Sequence, residues 1–324
     1  MKNILFFNNH IHKEKQTLND VGRNYGNMCF YYATLEIFRN HNIHFISNPK
    51  DNPDIIVISI ANAICNIESC INYLNYISKY IFKYKCKKIL LSIGAQNNNL
   101  NMFYLEERNK NIINNFFKQL DFINLRGTYT KDLLLFNGIN YDYKILGCPS
   151  IYLCKPMNKN IKQLNSETKI LFNGPRINSF IKKKTQPNCE FIFNLINDLS
   201  VDFLYQDSFS KNNKNIIIPQ SFNIWKNTIK KYDFVIGTRI HGAIMSLICN
   251  VPTLLIVIDS RTHELAEIFK IPYINIIDKG IDLKNKEDII KLVNNHLFDY
   301  TDYNKYLCEY NKNLKSLLLD PFNL

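Results

Sequence analysis

The chain has 324 residues, 46% of them hydrophobic and 21% charged, with a formal net charge of +12. That length accommodates two domains of ordinary size, and the apolar content excludes a disordered chain. No apolar run reaches the roughly 18–20 residues that span a bilayer, and the nine cysteines contain no C-x-x-C pair, which argues against a disulfide framework or structural zinc.

Short runs of Ile, Val, Leu and Phe predict strands at residues 3–7, 43–46, 54–60, 88–93, 122–125 and 144–146. The first of these is too short for a signal-peptide core, and the expected location is the cytoplasm. Amphipathic stretches at 28–38, 67–84, 105–120 and 128–136 predict helices between the strands. A polar, Asn- and Lys-rich break follows at 155–168. The alternation restarts with strands at 169–173, 201–205, 215–218, 234–236, 253–258 and 273–276, and helices at 225–231, 241–249, 262–269 and 288–297. Near-continuous apolar strands separated by helices predict parallel sheets covered on both faces. The expected architecture is α/β: two doubly wound, Rossmann-like domains, residues 1–158 and 166–300, facing a cleft. A last helix in 301–324 would return to the first domain.

Only ten residues are Gly, and only seven of the 40 basic residues are Arg. Where Lys and Asn dominate, a surviving Arg marks a place that needs a rigid fork, and a surviving Gly marks close backbone approach. Both converge in Gly237-Thr238-Arg239-Ile240-His241-Gly242, where a strand ends and a helix begins. The free N–H groups and positive dipole end of such a helix suit an anion. The bland reading is a core ion pair for Arg239 and a helix cap for His241.

This segment resembles the Gly-x-Arg-Leu-His-Gly-Ala signature of the polysaccharide pyruvyl transferases. Asn24-Tyr25-Gly26-Asn27 resembles the family's early turn, Gly94-Ala95-Gln96 its Gly-Ala-Gln strand end, and Arg126-Gly127-Thr128-Tyr129-Thr130 followed by Gly147-Cys148-Pro149 its Arg-x-x-Ser/Thr helix and Gly-x-Pro strand end. Cys148 stands where many members carry Asp, and Ala61-Asn62 replaces a frequent Gly-Gly. The resemblance covers residues 20–275. It implies a GT-B-like arrangement and a transferase that takes phosphoenolpyruvate as donor and builds a pyruvate ketal on two hydroxyls of a sugar; no metal or redox cofactor is implied.

On that reading Arg239, Ile240, His241 and Gly242 bind the donor, and His241 is the general acid, a role suited to imidazole near neutral pH, or a partner of the phosphate. Arg176 and Arg126 are candidates for a second anion-binding arginine. Asp20, Arg23, Asn24 and Asn27 form a polar loop that could grip the acceptor. Asp259, Arg261 and Glu264 could line the cleft, one carboxylate serving as base; the bland reading is a helix cap with an Arg–Glu surface pair.

The positive charge fits an anionic donor and a polyprenyl-linked acceptor, and no nucleic-acid module appears. Tyr73, Tyr76, Tyr80 and Tyr84 fall on one helical stripe ahead of a cluster of lysines, a face that could rest on the inner side of the cytoplasmic membrane; a packed core is the bland alternative. Two further functions stay open: a glycosyltransferase using a sugar nucleotide, and a catalytically silent polysaccharide-assembly protein.

Overall fold

Runs of β-branched and aromatic residues form two parallel sheets in the computed structural model. The structure describes residues 1–7, 16–46, 52–158, 163–174, 191–196, 198, 200–207, 216–296 and 298–324. The first sheet contains β1 (Asn3–Phe6), β2 (Asn42–Phe45), β3 (Ile55–Ser59), β4 (Asn62–Ile64), β5 (Lys87–Ala95), β6 (Phe122–Leu125) and β7 (Tyr143–Ile145). Its order is β2-β1-β3-β5-β6-β7, with β4 paired to the end of β5. The second contains β8 (Ile170–Asn173), β9 (Asp202–Leu204), β10 (Ile216–Ile217), β11 (Phe234–Gly237), β12 (Thr253–Val257) and β13 (Tyr273–Asn275), in the order β10-β9-β8-β11-β12-β13. Every pairing among the described strands is parallel.

The helices are α1 (Asn27–Ile37), α2 (Glu68–Phe82), α3 (Glu107–Phe117), α4 (Thr128–Phe136), α5 (Phe191–Ile196), α6 (Phe222–Ile229), α7 (Ile240–Ile248), α8 (Ser260–Phe269), α9 (Lys286–Asn294) and α10 (Thr301–Leu314), which continues as a π-turn, Lys315–Leu319. The chain divides into two compact units. One comprises Met1–Ile11, Phe30–Tyr152 and Glu309–Leu324; the other comprises His12–Cys29 and Leu153–Cys308. Residues 12–29 thus group with the second sheet although they precede the first unit in sequence. The end of the chain splits likewise, residues 301–308 with the second unit and 309–324 with the first.

Each unit has its own core. In the first, Leu5, Ile56, Ile58, Leu90 and Ile123 pack against Ile71, Leu74, Ile77 and Ile81 of α2 and Ile113, Phe116 and Phe117 of α3. Phe6 points to the opposite face, its ring 5.8 Å from Phe38. In the second, Phe172, Phe203, Phe234, Ile236, Leu254 and Ile256 pack with Phe191, Ile192 and Leu195 of α5 and Ile289 and Val293 of α9. Alternating side chains buried on both faces are what helix-covered parallel strands require. β4 and α5 are absent from the pattern-based reading: three and six residues are too few to show a period.

The tyrosine stripe along α2 and just past its end is divided. Tyr80 and Tyr84 pack against the core, with Phe7 5.2 Å from Tyr80, whereas Tyr73 and Tyr76 remain 45% and 54% exposed. Lys83 Nζ lies 4.3 Å from the Tyr80 ring centroid. Among the described residues, no helix is long and apolar enough to cross a membrane.

Candidate functional site

In the second sheet the chain progresses outward from β8 in one direction and from β11 in the other. Ligands of such sheets lodge beyond the carboxyl ends of the strands where the order reverses, because the loops diverge there. β8 ends at Asn173, and β11 ends at Gly237, its register partner. A Cβ on Gly237 would lie 2.2 Å from the Asn173 carbonyl oxygen, and one on Gly242 would lie 2.1 Å from Asn173 Nδ2. Glycine at both positions lets the first turn of α7 settle onto Asn173.

Arg239 is the N-cap of α7, with φ −107° and ψ 114°. Its carbonyl oxygen accepts from the amides of Gly242 (2.9 Å) and Ala243 (3.3 Å). Ile240 opens the helix one residue earlier than the sequence suggested, and its side chain is buried. The Arg239 side chain does not cap the helix. Nη2 donates to Asn24 Oδ1 at 3.0 Å and lies 3.1 Å from Asp207 Oδ2. His241 is 5% exposed. A Cβ on Gly26 would meet Gln206 Oε1 at 2.2 Å, Asn24 Oδ1 at 2.9 Å and His241 Nδ1 at 3.0 Å, so three polar atoms crowd one alanine-sized space. The Asn24–Asn27 turn is tied there by Tyr25 N, which donates to the Gln206 carbonyl at 2.7 Å, and by Gly26 N, which donates to Asn24 Oδ1 at 2.9 Å.

Gln206, Asp207 and Asn173 belong to this cluster and were not singled out from the sequence. Gln206 Nε2 donates to Asn173 Oδ1 at 2.9 Å, and all three side chains are buried. Their only signal was position, as polar residues at the end of β8 and just beyond the end of β9. Burial raises the phenol of neighbouring Tyr205 well above its ordinary value, which keeps it protonated at neutral pH.

The other loop candidates have local tasks. Asp20 Oδ2 accepts from Thr17 N and Oγ1, both at 2.8 Å. Asn27 Nδ2 donates to the Val21 carbonyl at 2.9 Å, and Arg23 is exposed with φ 60°. Asp259 caps α8. Its Oδ1 accepts from Thr262 N and Oγ1 at 2.8 Å, and its Oδ2 from Arg261 Nη2 at 2.8 Å. Arg261 therefore pairs with the capping carboxylate, and Glu264, expected at the surface, is 3% exposed.

Arg126 belongs to the first unit. It is 1% exposed, with Nη1 donating to Asn62 Oδ1 at 2.6 Å and Nε donating to Ser92 Oγ at 3.3 Å. Ser92 holds φ 66° where the β5–β6 register shifts, so a strained residue and the Asn62 substituent both serve this guanidinium. Cys148 is fully buried and accepts from Ser150 Oγ at 3.0 Å. Arg176 lies outside the described residues.

Residues 24–260 match the profile of a family described as polysaccharide pyruvyl transferase. No curated protein matches the chain. Among solved structures, UDP-GlcNAc 2-epimerase from Methanocaldococcus jannaschii is 14% identical over 96% of this chain and 99% of that one, with a TM-score of 0.50. An uncharacterised protein from Klebsiella pneumoniae is 15% identical over 84% and 92%, with a TM-score of 0.47. UDP-GlcNAc 2-epimerase from Neisseria meningitidis is 13% identical over all of both chains, with a TM-score of 0.48. At these identities the likeness concerns the fold alone.

Proposed function

Because this chain belongs to the polysaccharide pyruvyl transferase family, we propose that it moves the carboxyvinyl unit of phosphoenolpyruvate onto two hydroxyls of a sugar in a cell-surface polysaccharide or its precursor, closing a pyruvate ketal and releasing phosphate. The observation that carries this reading is the convergence of Arg239, His241, Asn24 and Gln206 where the second sheet reverses its order.

In the proposed reaction, the Arg239 guanidinium and the amides at the mouth of α7 receive the donor's anionic oxygens. His241 gives a proton to the methylene carbon, which becomes a methyl group, and positive charge develops at the carbon bearing phosphate. A sugar hydroxyl adds there and loses its proton. The bond from that carbon to the phosphate oxygen then breaks, and phosphate leaves with the bonding pair. The second hydroxyl adds to the same carbon, loses its proton and closes the ketal. Preorganised cationic donors lower the barrier to departure because charge grows on the leaving oxygen.

Arg126 and Arg176 remain proposed as further donor ligands, and Asp20, Arg23, Asn24 and Asn27 as acceptor contacts. Of the two carboxylates after β12, Asp259 accepts three hydrogen bonds, and either it or Glu264 is proposed as the base for an attacking hydroxyl. The acceptor is proposed to be polyprenyl-linked and met at the cytoplasmic face of a membrane. Thermal-shift titration of the full chain with phosphoenolpyruvate and with several sugar nucleotides tests the reading. Stabilisation by phosphoenolpyruvate alone supports it, and stabilisation by a sugar nucleotide alone would replace it with a glycosyltransferase.

A further inference from the structure

Asp207 brings a second charge to the Arg239 guanidinium. Its Oδ2 lies 3.1 Å from Nη2, and the two side chains are only 8% and 11% exposed. Among the described residues that oxygen accepts no hydrogen bond. One N–H of Nη2 is aimed at Asn24 Oδ1, at 3.0 Å. The contact with Asp207 is thus a charge contact off the hydrogen-bond axis, made where little water can screen it. The backbone that presents Asp207 is fixed by its neighbour: Gln206 donates through Nε2 to Asn173 Oδ1 at 2.9 Å and accepts at its carbonyl from Tyr25 N at 2.7 Å. A carboxylate fixed in this way beside the cation of an anion site is costly to bury and repels the anion the site receives.

We propose that Asp207 acts through Arg239, its carboxylate offsetting part of the guanidinium's charge, so that the site holds a phosphate group and also lets it go. The proposal rests on the reading of Arg239 as the donor's anion ligand. Full cationic charge would bind the donor's phosphate and the released phosphate with the same enthusiasm; a partner carboxylate weakens both and favours departure. A merely structural Asp207 would show the opposite sign, since removing it would loosen the site and weaken every ligand.

The test is calorimetric titration of the full chain with inorganic phosphate. Asp207→Asn is expected to bind phosphate about three- to tenfold more tightly than wild type, because the neutral amide keeps the shape and removes the repulsion. Asp207→Ser removes the same charge with less bulk and is expected to show the same gain; it serves as the reading if the Asn variant does not fold. Asp207→Glu keeps the charge and is expected to stay within about twofold of wild type. In Arg239→Ala, the further change Asp207→Asn is expected to give no gain. Neutral variants that fold like wild type and bind phosphate equally or more weakly would overturn the proposal. If Arg239→Ala alone binds phosphate as wild type does, the donor reading fails. If Arg239→Ala loses phosphate while the Asp207 variants gain nothing, the charge-offsetting role alone fails.

Discussion

Arg239 reaches the site from a capping position that its side chain leaves unused, and His241 follows two residues later in the same turn. Under the proposed function, substitution of either therefore removes chemistry while no side-chain cap bond is lost. Arg239→Ala and His241→Ala are each expected to lower phosphoenolpyruvate-dependent phosphate release by at least about a hundredfold, with unchanged circular dichroism. These two residues were legible because strand, glycine, arginine, histidine and glycine follow one another within a single junction. Gln206, Asp207 and Asn173 were not, because burial of a polar side chain is settled by partners distant in sequence. The cysteines hold another residue-scale expectation. A hydrogen bond with Cys65 holds the Cys70 thiol down to about 7, against the opposing effect of burial and with help from Ser69, while the Cys65 thiol is pushed up. The thiolate is the reactive form, so alkylation of Cys70 is expected to be slow below pH 7 and to plateau above it. Peptide mass spectrometry across pH checks this, and Cys65→Ala should move the midpoint upward.

Elements were easier to read than their edges. Strands buried on both faces announce themselves as unbroken apolar runs, and each of those predicted among the described residues forms within a residue or two of its expected limits. Helix starts shifted where a polar cap lies upstream of the apolar pattern. α6 begins at Phe222 because Ser221 Oγ accepts from Ile224 N at 3.1 Å. α8 begins at Ser260 because Asp259 and Thr262 close a capping box. Asp259→Ala would remove that cap and leave Arg261 without its carboxylate. The expected loss is about 2–4 kcal/mol, read from chemical denaturation, a stability effect and not a purely kinetic one. Gly237→Ala is expected to be at least as damaging, since its methyl group would fall against the Asn173 carbonyl of the paired strand. Urea midpoints of the two variants provide the check.

For the whole molecule, the repeat of strand and helix on either side of a polar break foretold two parallel sheets. What it could not foretell is that residues 12–29 belong with the second of them, because that membership rests on contacts such as Tyr25 to Gln206, some 180 residues apart along the chain. The net charge of +12 and the exposed Tyr73, Tyr76 and Phe82 beside Lys79 and Lys83 predict binding to anionic vesicles that weakens as salt rises. Vesicle sedimentation at low and high ionic strength measures it, and Lys79→Glu with Lys83→Glu should diminish it. The early turn that carries Asn24 has a consequence for biosynthesis. A ribosome releases this turn long before it has made the arginine that the turn embraces, 215 positions further on. Until that arginine is made, Asn24 Oδ1 has no guanidinium to accept from, and the contact closes only after four strands of the second sheet have been synthesised.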